Sequence, residues 1–141
     1  MKIKRYLGVD YGDVRTGIAV SDPLGITASG VGTIKATGKR TLAEAINNYV
    51  NEYGVEEIVM GYPVNMNGTE GERAQKVAGF AKYLEEVTGK PVKLFDERCT
   101  TMAAHQILNM TDTRGSKRKK VIDTLSAEII LQNYMDMHRN D

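Results

Sequence analysis

Tyr6-Leu7-Gly8-Val9-Asp10-Tyr11-Gly12-Asp13 is the stretch whose reading decides the fold. Its first half is an apolar run preceded by Lys4 and Arg5, and its second half has turn composition, so it predicts a buried strand with Asp10 at its tip. Thr16-Gly17-Ile18-Ala19-Val20 predicts a second strand, closed by the turn signal Ser21-Asp22-Pro23-Leu24-Gly25, and Ile26 to Ile34 a third. Links this short imply an antiparallel meander.

The period then changes. Leu42, Ala45, Ile46, Tyr49 and Val50 fall at helical spacing from Arg40 until Gly54 stops the helix, and Glu57-Ile58-Val59-Met60-Gly61 is a short apolar strand. Thr69 and Glu72 have capping-box spacing ahead of a helix whose apolar face is Val77, Phe80, Ala81 and Leu84, ending at Gly89-Lys90-Pro91. Val92 to Phe95 predicts a fifth strand. Helices over 102–110 and 120–137 complete the order, separated by a basic loop. Strand-helix-strand units require parallel, right-handed crossovers, whereas the first three strands are antiparallel. The expected fold is therefore α/β: a mixed five-stranded sheet with helices on both faces, in one domain over 1–141.

A chain of 141 residues can bury a self-sufficient core without staples. One cysteine and two histidines cannot close a four-ligand Cys/His zinc site, and the lone Cys99 cannot form an intrachain bridge. No apolar run approaches the 20 or so residues that span a bilayer, and the N-terminus has no signal-peptide pattern, so a cytoplasmic protein without membrane contacts is expected. The net charge of +1 favours no polyanionic partner in bulk, which leaves only local clustering to suggest one.

Carboxylates at the ends of core strands need a reason, because burying one unpaired costs several kcal/mol. Asp10 follows the first strand and Glu97 the fifth. Asp123 shares a helical stripe with Ala127, Ile130 and Tyr134, an inward face, whereas Glu128 shares a face with Thr124 and Gln132 that reads as solvated. If the last helix packs across the strand tips, Asp10, Glu97 and Asp123 converge on hard, oxygen-ligated cations such as Mg²⁺ or Mn²⁺. Such a site needs a polyanion to complete its coordination, and Arg114, Lys117, Arg118, Lys119 and Lys120 cluster at the start of the Asp123 helix. Cations are unfavourable there unless an anion is bound, so the cluster is read as a phosphate site. Arg15, Arg73 and Arg98 are further backbone-contact candidates. Gly12 to Gly17 has P-loop glycine spacing but lacks the lysine and hydroxyl that mechanism needs. His105, His138 and Cys99 read as structural or surface residues.

Four ordered blocks resemble one family. Gly8-Val9-Asp10-Tyr11-Gly12 with Arg15 to Asp22, Gly61-Tyr62-Pro63 with Asn67-Gly68-Thr69, Asp96-Glu97-Arg98 with Thr100-Thr101, and Lys120 to Asp123 with Ser126-Ala127 are similar to the YqgF, or RuvX, family. That resemblance implies a ribonuclease H-like fold, relatedness to Holliday junction resolvases and activity as a pre-16S rRNA nuclease. It also implies that Asp10, Glu97 and Asp123 form the acidic site, holding two Mg²⁺ or Mn²⁺ ions that clamp a phosphodiester. Three acids match where many of that superfamily have four; Glu128 and Asp96 are weak candidates for the fourth. Arg15, Arg98, Lys117, Arg118, Lys119 and Lys120 are the expected substrate contacts.

The leading expectation is thus a metal-dependent nuclease in ribosome biogenesis that processes the 5′ end of structured pre-16S rRNA as a monomer or weak homodimer. Branched DNA is the alternative substrate; a resolvase cuts two symmetric strands and needs paired sites. A noncatalytic RNA-binding assembly factor is a third reading. Sugar-kinase-like phosphotransfer, which also starts from an Asp-x-Gly strand turn, requires a second lobe for which this chain has no sequence.

Overall fold

The computed structural model describes residues 4–12, 14–35, 38–62, 71–96 and 115–138, with backbone alone over 115–123. The elements are β1 (Tyr6–Asp10), β2 (Arg15–Ser21), β3 (Ala28–Lys35), α1 (Lys39–Tyr53), β4 (Glu57–Tyr62), α2 (Glu72–Thr88), β5 (Val92–Asp96) and α3 (Gly115–Met137). The five strands lie in the order β3-β2-β1-β4-β5, antiparallel across the first three and parallel across β1-β4 and β4-β5. This is the mixed sheet expected from the element order.

Alternation along β1 explains the layers. Leu7 and Val9 face a core with Ile18, Val20, Ile58 and Met60, closed by Leu42, Ile46 and Val50 of α1 and Val77, Phe80 and Leu84 of α2. The opposite face carries Ala19, Ala28 and Val59, covered by Ala127, Ile130, Leu131 and Tyr134 of α3. Gly54 and Gly89 end α1 and α2 in the left-handed conformation, with φ of 64° and 70°, each donating its N–H back to the last turn.

Three expectations change. The capping box does not form as spaced: α2 begins at Glu72 with Gly71 as its extended N-cap, so Glu72 opens the first turn instead of reaching back from the third position, and Thr69 lies outside the described residues. α3 starts at Gly115, five residues before the expected position, because nothing in Ser116-Lys117-Arg118-Lys119 breaks a helix. Lys117, Arg118, Lys119 and Lys120 accordingly lie within the first turns of α3 and not in a preceding loop, while Arg114 lies outside the described residues. β3 starts at Ala28, after the Asp22 carboxylate accepts hydrogen bonds from the N–H groups of Leu24, Ile26 and Thr27 and fixes that segment as a turn. The helix expected over 102–110 lies outside the described residues.

Candidate active site at the tip of β1

α3 runs against the direction of β1. Thr124 sits on Gly30, Ala127 and Leu131 on Gly8, and ten residues beyond Thr124 the Tyr134 hydroxyl donates to Glu57 Oε2 at 3.1 Å, at the start of β4. A Cβ placed on Gly8 would come within 2.8 Å of both Ala127 O and Leu131 Cβ, and one on Gly30 would collide with the Thr124 side chain. These strand glycines let the helix backbone approach closely. The N-terminal end of α3 therefore points towards the C-terminal tips of β1 and β4.

Asp10 is the last residue of β1 and is half-buried. Two residues beyond Gly8, it is on the α3 face by alternation, about 6.6 Å further along the strand. Asp123 precedes Ala127 by four residues, about 6 Å of helix axis. The α3 backbone at 123 and the end of β1 thus reach the same level. Directly opposite Asp10 on β2 is Gly17, and on β4 the residue after Met60, the partner of Val9, is Gly61. The positions directly beside Asp10 on both neighbouring strands are therefore glycines.

The turn after Asp10 is held from below. The Tyr11 ring stacks on Phe80, with centroids 4.5 Å apart and planes 9° from parallel, and Arg73 Nη2 donates to Tyr11 O at 2.7 Å. Gly12 is obligatory, since a Cβ there would run into Arg15 O as the chain folds back into β2. Both contacts tie the tip of β1 to α2.

Of the expected site residues, Asp10 stands at the sheet's C-terminal edge, and Arg15 opens β2 at the same edge. Asp123, Lys117, Arg118, Lys119 and Lys120 are in the described backbone of α3, while Glu97 and Arg98 lie outside the described residues, as do Cys99 and His105. Among the described residues no three acidic, histidine or cysteine side chains form a metal-binding group. The stripe shared with Asp123 is buried as expected, at Ala127, Ile130 and Tyr134. The Thr124-Glu128-Gln132 stripe is only partly solvated: Thr124 packs on Gly30, and Gln132 accepts from Ala28 N and donates to Ile26 O, both at 2.9 Å. It is half-buried because Gly30 lets α3 settle onto β3. The two glycines flanking Asp10 and the Arg73 contact were not singled out from sequence. Glycines inside strands are the signal that marks such a close approach.

A family model described as RuvX, Holliday junction resolvase, matches residues 4–137. The chain belongs to the RuvX family. A relative from Ruminiclostridium cellulolyticum named "Putative pre-16S rRNA nuclease" is 44% identical over 94% of each chain, and one of the same name from Clostridioides difficile is 46% identical over 96% of each. Among solved structures, the RuvX chain is similar to RuvC of Thermus thermophilus in complex with a Holliday junction substrate, with a TM-score of 0.61, 13% identity and 96% of each chain covered. The fowlpox virus Holliday junction resolvase matches with a TM-score of 0.54 and 12% identity over 94% of this chain and 99% of that one. At such identities the likeness establishes the fold, which is that of the ribonuclease H-like resolvases.

Proposed function

We propose that this RuvX chain is a divalent-metal-dependent nuclease, a hydrolase of phosphodiester bonds, that processes the 5′ end of pre-16S rRNA in the cytoplasm as a single-domain monomer or weak homodimer. One observation carries the reading: a carboxylate at the tip of a core strand, flanked by two glycines, lies under the basic end of a helix. Family membership and the names of its relatives support the substrate. Among the described residues no helix is long and apolar enough to cross a membrane.

The donor chemistry fits hard cations, since Asp10 offers carboxylate oxygens and the strand positions directly beside it are glycines. Asp10, Glu97 and Asp123 are assigned to hold two Mg²⁺ or Mn²⁺ ions. When bound, such ions activate water and neutralise charge on the leaving oxygen. The three carboxylates then supply ligand charge and need not act as bases. Lys117, Arg118, Lys119 and Lys120 of α3, with Arg15 and Arg98, are assigned to phosphates beside the scissile one, where they position the substrate.

The test is cleavage of an RNA spanning the 5′ end of the 16S precursor, with Mg²⁺ or Mn²⁺, by the parent chain and Asp10→Asn. Parent cleavage at a defined position and loss of about 10³-fold in the variant are expected, with the fold intact by circular dichroism. Equal rates for the two proteins would refute the assignment. Preferential cutting of a four-way DNA junction over the RNA would replace the substrate.

A further inference from the structure

Register extends the site sideways, beyond α3. On the row that contains Asp10, β2 contributes Gly17 and β3 contributes Thr33, the partner of Gly17. The next row towards the tip on the same face is Arg15 paired with Lys35. Between these two rows Ile34 turns to the other side and packs against the α1/α2 core, which places Lys35 on the α3 face. Lys35 is exposed at the end of an edge strand, and among the described residues no carboxylate pairs with it. Directly opposed side chains in an antiparallel pair lie about 5 Å apart at Cβ, so two cations in that position can contact one phosphate.

The distance fits a neighbouring phosphate and not the scissile one. Two strand spacings sideways and two residues along put the Lys35 Cα about 12 Å from that of Asp10. At that separation Lys35 is assigned to a neighbouring phosphate and not to the chemistry at Asp10. The intervening row consists of the small residues Gly17 and Thr33.

Resting on the nuclease reading above, we infer that Lys35, with Arg15, forms a second phosphate-contact point that carries the nucleic-acid backbone away from Asp10 across the β2-β3 end of the sheet. The contact is to phosphate, so it sets affinity without reading sequence.

Binding of a fluorescein-labelled single-stranded RNA to the full chain, followed by anisotropy without divalent metal over a salt series, tests this directly. Lys35→Ala should weaken binding several-fold and reduce the slope of log affinity against log salt by about 0.7. Lys35→Glu should weaken it further, Lys35→Arg should retain it, and kcat at saturating RNA should fall less than affinity. Lys82→Ala removes a lysine from exposed α2, beyond the opposite face, and serves as the charge control. If Lys35→Ala matches that control in affinity and slope while the parent binds and cleaves RNA, the second contact point is wrong and the nuclease reading stands. Failure of the parent to bind RNA or branched DNA at all would overturn both.

Discussion

The two faces of the sheet are built on opposite rules. Under α1 and α2 the strands present Leu7, Val9, Ile18, Ile58 and Met60, and the helices answer with Ile46, Phe80 and Leu84, all fully or nearly fully buried. Under α3 the sheet presents Gly8, Ala19, Gly30 and Val59, and the helix lies close enough for its own backbone to touch the sheet. Large aliphatic side chains make one face a source of stability. Small residues make the other a platform, because a low surface lets the helix backbone approach the strands closely. Tyr11 links the two: its backbone follows Asp10, while its ring stacks on Phe80 in the large-residue core.

Truncating that core should have the largest effect. Phe80→Ala should cost about 3–5 kcal/mol, read by urea unfolding, because the ring is fully buried and stacked on Tyr11. It should also lower cleavage by loosening the turn beside Asp10. Equal stability of parent and variant would remove the contrast between the faces. On the platform face the opposite change should do the damage: Gly8→Ala adds one methyl and should cost about 1–3 kcal/mol, since Ala127 O and Leu131 Cβ stand 2.8 Å from where it must go. A smaller and reversed effect is expected at Gly79, exposed within α2 with no atom within 4 Å of an added Cβ. Gly79→Ala should stabilise by up to about 1 kcal/mol. Identical signs at Gly8 and Gly79 would show that close helix approach is not why Gly8 is glycine.

The smallest effect belongs to the β2-β3 turn. Hydrogen bonds from backbone N–H groups, that of Thr27 first, hold the Asp22 carboxyl below the usual carboxylate range. Because its folded pKa is depressed, its stabilisation is present at neutral pH and is lost as pH falls through that folded value. Asp22→Ala should therefore lower Tm modestly at pH 7 and progressively less below about pH 4. A Tm difference that stays constant down to pH 2 would mean that the charge on Asp22 contributes nothing.

The sequence of elements, the helix faces and the position of Asp10 could all be read from the chain, because alternating and 3.6-residue periods record which side of each element is buried. Leu42, Ile46, Val50, Val77, Phe80 and Leu84 all lie on the faces their spacing gives. Helix starts were less legible: Gly71 displaced the Thr69 cap, and a run of helix-tolerant basic residues extended α3 back to Gly115. The Glu128 stripe is half-buried where a solvated face was expected, because its partner, Gly30, has no side chain to advertise a contact. Glycine registers, on which the approach of α3 depends, appear only once strands are paired.

Convergence of Asp10, Glu97 and Asp123 on one ion site is the central claim, and Mn²⁺ binding to the full chain, followed by electron paramagnetic resonance, tests it most directly. Asp10→Asn, Glu97→Gln and Asp123→Asn should each weaken binding by about tenfold or more, since each removes one ligand charge from the same site. Glu44→Gln, which removes an exposed acid paired with Arg40 on α1, should leave it unchanged. Parent-like Mn²⁺ affinity in either Glu97→Gln or Asp123→Asn, with Asp10→Asn impaired, would contradict the shared site.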